Sequence, residues 1–158
     1  VIEPYQDLED ADELADQLFG LPHYKGAEEK DRRAALLRAS DEVDIAMRYQ
    51  GRKYDATQER EFPRLADEGS GRIWDVDGDG SPIVPGNVCK AVLYQADSLI
   101  EAVREGRISA IHDGLVYDQS GGLAESYKQS EATGAKTGLC RPAYQLLRKY
   151  ELRTGGLA

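Results

Sequence analysis

The sequence predicts a mainly α fold: a small bundle of about three core helices, with a short β-hairpin or edge strands and a tethered C-terminal helix or arm. Three observations carry this. Apolar residues recur at helical spacing in three stretches before Gly106, the period shortens after it, and glycines and prolines interrupt the chain between these stretches. At 158 residues the chain can bury one core. Its parts read as a helical core over 1–106, containing a long loop over 51–86, followed by a hairpin and C-terminal arm over 107–158.

In "DLEDADELADQLFG", Leu8, Ala11, Ala15 and Leu18 share one helix face, Leu14 widens it, and Gly20 with Pro22 stops it. The stretch 27–50 sets Leu36, Ala39, Val43, Ala46 and Met47 on one face. It opens with acids, which the helix dipole favours, and runs to Gly51. Residues 52–71 hold no sustained period, and Pro63 and the glycines make them a connection. After Pro85, with Asn87 as N-cap, Val88, Ala91, Val92, Ala96, Leu99 and Val103 form the clearest stripe, ended by Gly106. Leu115 and Tyr117, then Leu123 and Tyr127, flank "QSGG" as a hairpin or two edge strands near 114–128. Beyond the small, flexible "EATGAKTG", Ala143, Leu147 and Tyr150 align on a last helix beside Leu146.

Composition excludes several classes. A hydrophobic content of 41% and a charged content of 31% fit a soluble protein, and no apolar run approaches the about 20 residues that cross a bilayer, so no membrane partner is expected. The opening "VIEPYQDLED" has no basic leader or apolar segment, so cleaved secretion is not indicated. Cys89 and Cys140 lack a CxxC spacing and read as small buried hydrophobes in a reducing compartment, a disulfide being open but unsupported.

The stretch "DVDGDG" resembles half of a calcium loop: Asp75, Asp77 and Asp79 alternate before Gly80. The twelfth position is Gly86 instead of the bidentate Glu, and the flanks are broken by Gly and Pro, so a solvated acidic turn is expected and no metal site. His23 and His112 have no nucleophile at a recognisable spacing, there is no phosphate-binding loop, and adjacent carboxylates are expected by chance in an acidic chain. No catalytic, cofactor or metal residue is assigned, and a hydrolase has only abundant carboxylates in its favour.

The net charge of −9 opposes nonspecific attraction to polyanions. Its distribution is uneven: residues 1–20 hold seven acids and no base, whereas residues 136–158 hold five bases and one acid, Glu151. The densest basic stretch, "KDRRAALLR", supplies Lys30, Arg32, Arg33 and Arg38, with Tyr49 and Tyr54 further along as aromatics that could stack on bases. Glu28, Glu29 and Asp31 offset these charges, so a solvated helix face is expected there.

The order of pieces carries a resemblance. Residues 35–39 with Asp44, then Gly51, Arg52, Gln58 and residues 62–64, then residues 83–85 with Val88, Ala91 and Ala96, are similar to the head-tail adaptor, or head-completion, family of long-tailed bacteriophages. "GLAESYK" and "AYQLLRKY" extend the likeness, which covers about 5–150. Phe62 stands where that family has tryptophan, and "DVDGDGS" lengthens a turn. Some members of that group carry a primosome-type single-stranded-DNA-binding label, so the same resemblance supports a DNA-binding module as the alternative.

The resemblance implies a structural, non-enzymatic neck protein of the virion, present in host cytoplasm during assembly. It would form a homo-oligomeric ring, commonly a dodecamer, beneath the portal protein, with a tail terminator or stopper below and packaged DNA passing without specific binding. On that reading Tyr144, Leu147 and Tyr150 are apolar anchors on the portal or a neighbouring subunit. Arg148, Lys149 and Arg153 are charged rim contacts, and Asp10, Glu13 and Asp16 face the channel. The alternative for the last helix is packing on its own subunit.

Overall fold

The computed structural model describes residues 2–66, 71–108 and 137–152. The mainly α bundle is present. Helix α1 (Leu8–Gln17) begins where the Asp7 carboxylate accepts the Asp10 amide at 2.9 Å, and it buries Ala11 and Ala15. Helix α3 (Glu29–Ala46) has Glu29 and Asp31 in its first turn and buries Ala35, Leu36, Ala39 and Val43. Helix α4 (Gly86–Arg104) lies against it, with Val88, Ala91, Val92, Ala96 and Leu99 fully or nearly enclosed.

Four details differ from the sequence reading. A short helix α2 (Pro22–Lys25) starts at the proline expected to end structure, because proline's fixed φ and missing N–H suit a first helical position. The Asp97 carboxylate, on α4, accepts the His23 and Tyr24 amides at 2.9 and 2.8 Å, so a distant residue serves as its cap. Helix α3 ends at Ala46, with Met47 extended, short of Gly51. Pro85, not Asn87, precedes the first turn of α4.

The long loop carries order that no period announces. Strands β1 (Arg52–Lys53) and β2 (Arg64–Leu65) pair antiparallel, Arg52 opposite Leu65 and Lys53 opposite Arg64. Single bridges extend the ladder, Leu65 with Ile73 on one side and Tyr49 with Glu151 further along. Gly51, at φ +70°, makes the turn into β1, where a Cβ would stand 1.7 Å from the Leu65 carbonyl oxygen. The hairpin expected near 114–128 lies outside the described residues.

Helix α5 (Arg141–Leu147) runs into a 3₁₀ turn (Arg148–Tyr150) and packs on α4. Leu139, Ala143, Leu147 and Tyr150 belong to the same core as Val88 and Val92. A buried polar bridge fixes this docking. The Gln95 side chain accepts the Cys140 amide at 2.7 Å and donates to Glu42 at 2.6 Å, and Glu42 pairs with Arg38 at 3.3 Å. The helix expected to seek a partner's surface is held by its own chain, since its apolar face finds α4 within reach.

Candidate nucleic-acid interface

The segment from Asp44 to Arg64 is fastened to the bundle by a few polar side chains. Asp44 accepts the Tyr5 hydroxyl, Arg60 Nη1 at 2.9 Å and the Glu61 amide at 3.2 Å. Arg60 also reaches Asp41 at 2.6 Å and the Glu3 carbonyl at 2.8 Å. Arg64 is buried, and its guanidinium donates to the carbonyls of Gln50, Tyr49 and Gly51 at 2.9, 3.2 and 2.8 Å and to Glu61 at 2.5 Å. Below them Phe62 meets Tyr49, Tyr150 and Tyr5 edge-on at centroid distances of 4.8, 5.3 and 6.2 Å, and Trp74 meets Tyr150 at 5.1 Å. Burial, more than the nearby Asp75 charge, pushes the Tyr150 hydroxyl up to about 12.

This scaffold presents one edge. The Gln50 amide donates to the Tyr150 carbonyl and the Leu152 amide to the Arg48 carbonyl, both at 2.7 Å, while the Gln50 side chain donates to the Glu151 carbonyl at 2.8 Å. Residues 48–50 therefore run beside residues 150–152, and β1 follows two residues on. Residues 48–54 contain three bases and no acid. Arg48, Arg52, Arg148 and Lys149 are exposed there and make no ion pair with a carboxylate among the described residues. Lys149 Nζ lies 4.8 Å from the Tyr150 ring centroid. Lys53 differs, being 3.5 Å from Glu61.

The bases of α3 are each near a carboxylate, but only two use the acids next to them in sequence, and Arg38 is buried where a solvated face is expected. Lys30 stands near Glu28, Arg33 near Glu29 and Arg38 near Glu42, and Arg32 reaches Asp12 of α1 at 3.1 Å. Of its two companion aromatics, Tyr49 is buried with its hydroxyl donating to the Val43 carbonyl at 2.5 Å, whereas Tyr54 is exposed.

The proposed portal contacts separate. Leu147 and Tyr150 are buried in this chain's own core and cannot anchor on another protein without leaving it; Tyr144 is half-buried, Arg148 and Lys149 are exposed, and Arg153 lies outside the described residues. Asp10, Glu13 and Asp16 are exposed on α1. At the acidic turn the Asp77 carboxylate accepts the Asp79 and Ser81 amides at 2.9 Å each, so this side chain closes the turn; no carboxylate, His or Cys group suited to a metal occurs among the described residues. His23 Nε2 is 3.7 Å from Glu101, and His112 lies outside the described residues. Cys89 and Cys140 are free thiols, both pushed up to about 11 chiefly by burial, which suppresses thiolate reactivity.

The profile of the family described as "Putative DnaT-like ssDNA binding protein" matches residues 2–156. The chain belongs to this DnaT-like family. No curated protein and no solved structure matches it. Membership overturns the head-tail adaptor resemblance, and with it the ring beneath a portal, the tail-side partners and the DNA passing without binding. The physical reason is visible in the residues that carried the likeness. Gly51 serves a steric turn, Arg64 binds carbonyls, and Val88, Ala91 and Ala96 fill the core. They record how this architecture folds, not what it meets. The channel role of Asp10, Glu13 and Asp16 loses its premise with the ring, and the DnaT-like description favours the alternative that the same likeness carried.

Proposed function

We propose that the protein is a single-stranded-DNA-binding module that holds the strand along the edge built by residues 48–54 and 148–152. The observation that carries this is the group of exposed cations, Arg48, Arg52, Arg148 and Lys149, unpaired among the described residues of a chain whose net charge is −9. The family description supports it by naming the ligand class. Net charge argues against DNA only at long range. At about 0.1 M salt, repulsion fades beyond about 10 Å, and the local cations govern the contact. Binding of this kind needs no catalytic step.

Counterion release gives the test a magnitude. Four phosphate contacts predict that log K falls with log salt at a slope of about −3, from roughly −0.7 per contact on a single strand. Fluorescence anisotropy of a labelled oligothymidine over stepped NaCl measures that slope. The double substitution Arg48→Ala with Arg52→Ala is expected to make it shallower by about 1.4. Absence of binding at low salt, or a slope indifferent to those substitutions, would refute the proposal.

A further inference from the structure

Among the described aromatics, only Phe19 and Tyr54 are largely exposed, at 95% and 47%. Phe19 follows the acidic helix α1 and has one lysine near it, Lys25, whose Nζ donates to the Leu18 carbonyl at 3.1 Å, whereas Tyr54 directly follows Arg52 and Lys53 on the edge that carries Arg48, Arg148 and Lys149. Among the described residues the Tyr54 ring makes no aromatic contact, unlike those of Tyr5, Tyr49, Phe62, Trp74 and Tyr150.

The backbone beneath that ring is pinned. The Tyr54 amide donates to the Pro63 carbonyl at 3.1 Å. Lys53 Nζ is tied to the carbonyls of Gln58 and Glu59 at 3.4 and 3.2 Å. The neighbouring Asp55 carboxylate is turned into its own loop, accepting the Thr57 amide and hydroxyl at 2.8 Å each, and the Asp55 amide donates to Gln58 Oε1 at 3.0 Å. A half-exposed ring on a fixed mount beside cations loses little freedom when it meets a flat partner.

We infer that Tyr54 is the base-stacking residue of this edge, and that its ring makes the edge prefer unpaired over paired bases. The inference rests on the single-strand reading above. Cations attract phosphates of either form, but a base within a duplex has both faces covered by its neighbours, so only an unpaired base offers a face to the ring.

The test compares wild type, Tyr54→Ala, Tyr54→Phe and the Arg48→Ala/Arg52→Ala double variant on oligothymidine and on a duplex of equal length. Tyr54→Ala is expected to weaken single-strand binding by roughly 5- to 140-fold, with the salt slope and duplex affinity retained, and Tyr54→Phe to bind like wild type. Single-strand affinity of Tyr54→Ala within about twofold of wild type, or an equal loss on the duplex, overturns the stacking role while wild-type binding with a slope of about −3 leaves the single-strand function standing. Wild type failing to bind oligothymidine overturns both.

Discussion

Replacing Arg64 should unfasten the edge from the bundle. Its guanidinium is buried and makes five hydrogen bonds, to the carbonyls of Tyr49, Gln50, Gly51 and Glu61 and to the Glu61 carboxylate. Hydrogen bonds from a charged donor contribute about 1.5–3 kcal/mol each, but bonds sharing one group do not add. Arg64→Ala leaves buried carbonyls without their donor, while Glu61, partly exposed, can turn to water, and we expect a cost of about 2–4 kcal/mol. Arg64→Lys should recover little, because an ammonium on a flexible stem cannot serve these carbonyls from one plane. Urea denaturation followed by the fluorescence of Trp74, the chain's one tryptophan, whose ring lies 5.1 Å from that of Tyr150, measures both variants. Stability of Arg64→Lys within about 0.5 kcal/mol of wild type would refute the carbonyl-clamp argument.

Gly51→Ala combines a positive φ with a Cβ 1.7 Å from a backbone oxygen, and should destabilise by more than about 2 kcal/mol in the same denaturation assay. Asp97→Ala removes the acceptor for two α2 amides and should cost about 1–2 kcal/mol, with Asp97→Asn recovering part of it. Leu147→Ala, in a fully buried position on α5, should lower stability by about 2–5 kcal/mol; an unchanged midpoint would mean that α5 is not part of this core. The fold holds Tyr150 neutral, raising its hydroxyl from 10.0 to about 12, and Tyr5 and Tyr49 are raised in the same sense by burial. The stabilisation from the raised values is complete below pH 10 and is lost as pH rises through the folded values, so urea midpoints should decline above pH 10. Tyrosinate absorbance titration, rising later in the folded protein than in urea, checks it.

Reading the chain located the bundle because α1, α3 and α4 each bury a stripe that one helix can show by itself. It could not locate the candidate edge. Arg48, Arg52, Arg148 and Lys149 look no different in sequence from Arg32, Arg33, Arg38 and Arg64, and the distinction lies in which carboxylate or carbonyl each one finds. Tyr49 and Tyr54 posed the same problem five residues apart, one buried beside Phe62 and the other exposed. Residues 48–54 did carry a local signal, three bases without an acid, that the total charge concealed.

Sequence alone determined the helical bundle, since each of its apolar stripes is a periodic face that one helix shows by itself. Tertiary structure decided that α5 closes its own core, that Asp97 caps a helix far from it in the chain, and that residues 48–50 lie beside residues 150–152. Those outcomes depend on pairings between remote segments, whose partners are chosen by packing geometry and by which buried charges can be satisfied together.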